Sequence, residues 1–394
     1  MKAGWQTTTL GEACRFIDYR GRTPEKTESG LRLITAKNVK MGFLQMEPLE
    51  FVAPDIYEGW MTRGIPQIGD VLFTTEAPLA NVAQLDTSKK VVFAQRIIVL
   101  QPYQANLDRT FLKYLLLSGA AQQRIHEKGT GATVQGIKAS LLKTIEISYP
   151  PLPEQQRIVG ILDEAFDGIA TAKANAEQNR QNARALFESH LQSVFTQRGE
   201  GWAEKKIGEI AKHSLGKMLD KAKNKGEPQR YLRNVNVRWF NFNLTDILEM
   251  RFLPEEKAKY TAIKGDVLIC EGGYPGRAAI WDEDYPIHFQ KALHRVRFHE
   301  PEQNKWFVYF LYVQDKRGEL RQHFTGTGIQ HFTGEALSRF QIPIPPLPEL
   351  RRFVARFEEL DEEIQRLESI YQQKLVALDE LKKSLLHQAF TGQL

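Results

Sequence analysis

Histidine, cysteine and glycine clusters are where bond-making chemistry would show first, and none stands here at a working spacing. His288, His294 and His299 share no helical face and no HExxH pattern, so they do not read as a zinc site. Cys14 and Cys270 form no CxxC pair and fit a reducing compartment. The segments GTGATVQG (129–136) and GTGIQHFTG (326–334) contain GxG but not GxGxxG. Gly131 and Gly136 continue as Ile137-Lys138, not as the Gly-Lys-Ser/Thr of a phosphate loop, so tight turns are expected of both segments. A methyl-transferring Asn/Asp-Pro-Pro-Tyr/Phe segment is absent, because the proline pairs at 150–151 and 345–346 each precede leucine. What the residues do offer is contact with a polyanion. Between Lys205 and Arg238 ten Lys or Arg face only Glu209, Asp220 and Glu227, a local +7 that exceeds the +5 of the whole chain. Such a run is either a solvated loop or a phosphate-contacting surface.

The composition bounds the class of molecule that carries these residues. At 394 residues the chain is long enough for two or three domains. Hydrophobic content of 42% with 26% charged residues belongs to a soluble globular protein. No window approaches the ~20 apolar residues of a membrane helix, and the opening MKAGWQTTTLGEA lacks the apolar core of a signal peptide. A cytoplasmic protein without membrane contact is expected.

An internal duplication organises the chain. PPLPE at 150–154 recurs at 345–349, displaced by 195 residues, and Phe195-Thr196 recurs as Phe390-Thr391 at the same displacement. Gly4-Trp5 with Gly11-Glu12 matches Gly201-Trp202 with Gly208-Glu209, displaced by 197. GDVL stands at 69–72 and 265–268, and GTG at 129–131 and 326–328. Each unit begins with a globe of short β-type runs (69–73, 91–99, 266–269, 294–298) and a helical patch (110–125, 305–323). After each PPLPE, a helix start, comes a long stretch without proline.

Those stretches carry coiled-coil spacing. Phe357, Leu360, Ile364, Leu367, Tyr371, Lys374, Leu378, Leu381 and Leu385 follow steps of three and four. Leu162, Ala165, Ile169, Ala172, Ala176, Asn179, Ala183, Leu186 and His190 hold the matching places, with Asn179 and Lys374 as polar layers. The alanine-rich seam leaves room for the bulkier one, so the helices are expected to pack on each other, antiparallel. Heptads alone suit a dimerisation stalk; the order globe, helix, globe, helix favours two modules held at a fixed separation. The expected fold class is α+β: two tandem α/β domains (1–149 and 199–344), each followed by a long helix (150–198 and 345–394).

On these residues the chain resembles the specificity subunits (HsdS) of type I restriction-modification systems. PPLPEQQRIV (150–159), PPLPELRRFV (345–354), HQAFTGQL (387–394), the GTG before each proline run and the paired GDVL carry the resemblance, which covers essentially the whole chain. It implies two target-recognition domains, each reading half of a split sequence in double-stranded DNA. It also implies that the helices form a spacer and dock two methyltransferase subunits, with motor-nuclease subunits completing the enzyme. The chain itself would be non-catalytic and bind no cofactor, while the partner subunits use S-adenosylmethionine, ATP and Mg2+. One departure stands out: Leu350-Arg351 replaces the usual Gln-Gln present at Gln155-Gln156, which bears on equal docking at the two helices. At about 1.5 Å per residue, the 42 residues from 154 to 195 span roughly 60 Å, enough to separate two readers by one DNA turn.

A DNA reader needs cations for phosphates and planar polar groups for base edges. Phosphate contact is expected from the 205–238 run, including Lys217, Lys221 and Arg238, and from Arg15, Arg20, Arg22 and Lys26 in the first half. Base contact is expected from Lys37, Asn38, Thr74, Thr75, Glu76, Gln95, Arg96 and Lys138 in the first half. In the second half the candidates are Arg233, Asn234, Glu271, Tyr274, Arg277, Gln290, Lys291, Gln330 and His331. The lists differ chemically, which predicts two unlike half-sites. Two readings from other classes stand beside this one. S-adenosylmethionine binding by the isolated chain would mark an enzyme, and absence of DNA affinity even with partner subunits would mark a coiled-coil scaffold.

Overall fold

The two GDVL segments turn the chain into buried strands, and the physical chemistry of Gly-Asp explains why the letters recur. In the computed structural model, which describes residues 4–394 except 20, 22, 95, 104, 132 and 221–223, Gly69 and Gly265 hold φ of 86° and 92°. That is left-handed backbone, where glycine carries no Cβ penalty. The following aspartates are buried and close the turn: Asp70 accepts from the Gln67 N–H at 2.7 Å, Asp266 from the Ile263 N–H at 2.8 Å. Each buried charge is compensated. Gln101 (2.6 Å) and Arg109 (3.2 Å) meet Asp70, and Arg297 meets Asp266 with two nitrogens at 2.7 Å.

Residues 1–177 with 372–394 make one packed unit, and residues 178–371 the other. In the first, the strands Cys14–Asp18, Ile97–Pro102, Val71–Thr74 and Val82–Gln84 lie side by side in that order, all antiparallel. A second sheet places Leu31–Ile34 between Glu50–Val52 and a parallel Val91–Phe93. The second unit repeats the plan with Ala211–Leu215, Leu293–Phe298, Val267–Cys270 and Ala278–Ile280 in one sheet. Its other sheet runs Leu248–Phe252, Glu227–Leu232, Ile287–Phe289, Thr261–Ala262, again with one parallel pair. The run read as one strand over 91–99 is two, ending at Phe93 and restarting at Ile97, because Arg96 takes a φ of 71°. The first helical patch is likewise two helices, Arg109–Leu117 and Gly119–Glu127, with the Ser118 side chain capping the second.

A two-stranded ribbon ties the ends of each globe together: Gln6–Thr9 pairs with Glu146–Tyr149, and Ala203–Lys206 with Gln341–Ile344. From these ribbons start the long helices, α1 (Leu152–Thr196) and α2 (Leu347–Thr391), 45 residues each. They pack antiparallel. In the first unit Arg157 reaches the Leu394 carbonyl at 3.0 Å, Lys382 lies 4.9 Å from the Phe166 ring, and Lys173 pairs with Asp379. In the second unit Arg184 faces Asp361 at 3.6 Å and His190 meets the Phe357 ring at 6.0 Å.

The expected seam is only partly the real one. Leu162, Ile169, Ala176, Phe357 and Ile364 are buried, but Leu186, Leu367 and Leu381 are exposed and so are Asn179 and Lys374. Leu186 is 68% exposed beside Phe187 at 1%, a one-residue slip in phase. The cause is a second client for the same helix face. Phe187 and Phe195, in the second unit, pack on Tyr309, Phe310 and Trp306 of the second globe, at ring distances of 6.4, 5.2 and 4.5 Å. A helix shared between a globe and a partner helix does not keep a strict seven-residue stripe.

The departure at Gln155 and Leu350 also has an internal reason. Gln155 is buried, donates to the carbonyls of Asn106 (2.8 Å) and Pro150 (2.7 Å), and accepts from the Asp108 N–H (2.8 Å). It clamps the start of α1 to its globe. At the matching turn of α2 the buried Leu350 joins an apolar cluster with Trp306, Phe357 and Val354.

Candidate nucleic-acid interface

Backbone hydrogen bonds within each globe show which residues of the two correspond, and they converge on one place in each. In the first, the Thr75 N–H donates to the Arg96 carbonyl (2.8 Å) and the Ile137 N–H to the Thr75 carbonyl (2.9 Å). In the second, Glu271 and Ala292 make the first contact (2.8 Å) and Phe332 and Glu271 the second (2.7 Å). Three loops are thereby fastened side by side: the end of the GDVL strand, the turn before Ile97 or Leu293, and the glycine loop. Thr130 and Gly136 exchange two backbone bonds across that loop, as do Thr325 and His331. The glycine loops therefore correspond at a displacement of 195, Thr130-Gly131 with Thr325-Gly326. The letter match of GTG to GTG at 197 is two residues out of structural register.

Around this junction the first globe gathers three of the expected contacts. Glu76 and Arg96 form an ion pair at 3.0 Å, both partly exposed, and with the exposed Lys138 they line an open recess of about 480 Å³. Gly21, Thr130, Val134 and Gly136 complete its wall. Lys37 is exposed on a separate loop. Arg20, Arg22, Gln95 and Lys221 lie outside the described residues.

In the second globe Glu271, Gln290, Lys291, Gln330 and His331 lie on the same three loops, with Lys291 and Gln330 the exposed members. Beside them Arg277 stacks over the exposed Tyr274 ring at 4.6 Å and donates to the Asn234 carbonyl at 3.1 Å. The Asn234 amide donates to the Gly272 carbonyl at 3.0 Å, so this side chain shapes the loop as well as flanking it. Arg233 is tied to Asp246 at 2.6 Å, and Arg238 is exposed with its guanidinium on the Val235 carbonyl at 2.7 Å.

Four expected contacts are corrected by burial. Asn38 has no exposed surface. Its amide donates to the carbonyls of Gln45, Met46 and Pro48 (3.3, 3.3 and 3.0 Å), and its oxygen accepts from the Thr35 N–H (3.0 Å) and hydroxyl (3.1 Å). Asn236 does the same work in the second globe, accepting from the Arg233 N–H (2.8 Å) and donating to Asn243 (3.0 Å) and Asp246 (2.9 Å). The structural counterpart of Asn38 is thus Asn236. Thr74 and Thr75 are buried, their hydroxyls spent on the Pro78 carbonyl (2.7 Å) and the Arg96 carbonyl (3.3 Å). Lys217 is buried under the Phe252 ring at 5.0 Å, donates to the Arg251 carbonyl at 2.9 Å and pairs with Glu256. Its charge is consumed internally.

The basic run 205–238 is not one surface either. Lys205 and Lys206 stand on the ribbon strand, Lys212 on Ala211–Leu215 and Arg230 on Glu227–Leu232, three strands of three different sheets. Sequence reasoning missed the tip of the glycine loop at Val134 and Ile329, whose signal is the pattern Thr-Gly-x-x-Val/Ile-Gln at 130–135 and 325–330. Among the described residues no cluster of His, Cys, Asp or Glu could hold a metal ion, and no helix is long and apolar enough to cross a membrane. His294, buried on the strand beneath these loops, has its pKa pushed down to about 4 by burial and by the neighbouring His213.

A model of the type I restriction modification DNA specificity domain matches residues 2–179 and, a second time, 199–374. The chain belongs to that family. Among curated members, the MjaVIII specificity subunit of Methanocaldococcus jannaschii is 22% identical, with 99% of this chain and 93% of that protein aligned. The StySPI specificity subunit of Salmonella potsdam is 21% identical over 99% and 89% of the two chains. The DNA specificity fold is shared with a chain solved for the complex assembly and conformational transition of the type I R-M system, at a TM-score of 0.79, 20% identity and coverage of 100% and 99%. The HsdS subunit from Thermoanaerobacter tengcongensis follows at a TM-score of 0.61, 20% identity and coverage of 100% and 98%. Two specificity domains and two long helices in alternation are the architecture found here.

Proposed function

We propose that this chain is the non-catalytic sequence reader of a type I restriction-modification complex and that its two globes read the two halves of an asymmetric, split DNA site. The observation that carries the reading is the three-loop junction, built twice from the same backbone bonds and furnished with different side chains. The first globe presents a Glu76–Arg96 pair with Lys138; the second presents Glu271, Lys291, Gln330 and the Tyr274–Arg277 stack. One scaffold with two chemistries serves two different half-sites. The helix pair sets the number of unread base pairs between them and carries two methyltransferase subunits. Those subunits, with motor-nuclease subunits, supply the chemistry and use S-adenosylmethionine, ATP and Mg2+ in the cytoplasm.

Selection from a random duplex pool tests this reading. The full chain, co-purified with its methyltransferase subunits, is expected to enrich two unlike short blocks at a fixed separation. Glu76→Gln is expected to relax one block and Lys291→Ala to weaken the other. Enrichment of a palindrome, or of nothing, contradicts it.

A further inference from the structure

The two glycine loops share one side chain whose chemistry none of the polar contacts uses. Gly131 and Gly326 hold φ of 117° and 106°, and a Cβ at either would stand 2.2 or 2.3 Å from the carbonyl oxygen of Val134 or Ile329. Only glycine allows so tight a closure. Below the tip, paired backbone bonds between Thr130 and Gly136, and between Thr325 and His331, hold the stem. Val134 and Ile329 are left at the tip, 54% and 75% exposed.

A single exposed aliphatic is ordinary on a protein surface. Here a β-branched aliphatic recurs above the same hydrogen-bonded stem in both globes, between a Thr-Gly and a Gln that also recur, while Gly136 gives way to His331 and Glu76 to Gly272. Val134 also lines the recess that holds Arg96 and Lys138. In the first globe, an apolar tip that shares its recess with cations matches a partner that is anionic outside and apolar inside. Duplex DNA is such a partner, with phosphates on the backbone and base surfaces in the grooves.

We propose that Val134 and Ile329 are the apolar DNA contacts of the two globes, each entering a groove and packing on base surface, whatever letters the polar neighbours read. The proposal rests on the DNA-reading assignment above. Binding to a duplex carrying the selected site, measured with the full chain and its methyltransferase subunits across a salt series, tests it. Val134→Ser and Ile329→Ser are each expected to weaken binding about tenfold. The slope of affinity against salt is expected to stay that of wild type, because an apolar contact releases no counterions. Val134→Ile and Ile329→Val are expected to bind as wild type does, and thermal melting of the serine variants at the wild-type temperature separates lost contact from lost fold. Serine variants with unchanged affinity overturn the proposal, and so does a loss that flattens the salt slope. Loss of methyltransferase association with DNA affinity intact would assign the tips to a protein partner and also overturn it. A wild-type complex that binds no DNA would instead bring down the reading on which the proposal rests.

Discussion

Replacing Asn38 by alanine separates a loop-shaping residue from a base-contacting one. The side chain is buried and makes five hydrogen bonds within residues 35–48, of which those to the Pro48 carbonyl and from the Thr35 N–H and hydroxyl lie at 3.0–3.1 Å. Each such bond contributes about 1 kcal/mol net, and orphaned partners add to the loss, so Asn38→Ala is expected to cost about 2–4 kcal/mol. For a unit of this size that lowers the melting temperature by about 4–16 °C. Asn38→Asp is expected to cost at least as much, since it sets a carboxylate against three carbonyl oxygens. Thermal unfolding of the full chain reads the stability, and selection from a random duplex pool reads the half-site. The expected outcome is a less stable protein in which one block is weakened without its letters changing. An Asn38→Ala chain that melts like wild type yet prefers a different letter would falsify the assignment and restore Asn38 as a base contact.

Further perturbations test the scaffold. Gln155→Leu, which copies the second half's residue into the first, is expected to destabilise by about 2–3 kcal/mol by stranding the Asn106 and Pro150 carbonyls and the Asp108 N–H; chemical denaturation checks it. His294 titrates at about 4 in the folded chain against an ordinary 6.5, so the unfolded chain binds the extra proton between those values. Stability is therefore full above about pH 6.5 and falls as pH drops toward 4, by up to about 3 kcal/mol, and His294→Gln is expected to flatten that part of a melting-against-pH curve. Seven residues inserted in α1 within 172–183, together with seven in the opposed stretch of α2, add roughly 10 Å of helix. The unread spacer is expected to lengthen by about three base pairs with both half-sites unchanged, and altered half-site letters would count against the helices as a ruler.

The duplication was legible because its landmarks answer to backbone physics that depends little on context. Gly69 and Gly265 need left-handed φ, Asp70 and Asp266 close the same turn, and the proline runs begin helices of equal length. The candidate interface was less legible because exposure is a tertiary property. Asn38, Thr74, Thr75 and Lys217 have the polar groups a DNA reader uses, but the fold turns those groups inward. By letters GTG matches GTG, whereas the hydrogen-bond pattern within each loop aligns Thr130 with Thr325, and the shared aliphatic tip shows only in that register. The helix seam slipped for a related reason: Phe187 serves the globe, which a heptad count cannot see.

Methylation mapping is the most direct measurement of the central claim. Cells carrying this chain with the methyltransferase subunit proposed for it are sequenced by a single-molecule method that detects methylated adenine, beside cells lacking this chain alone. The expected result is a split, asymmetric motif with a fixed unread spacer, present in the first cells and absent from the second. A methylome that does not depend on the chain, or a dependent motif that is palindromic, would contradict the account.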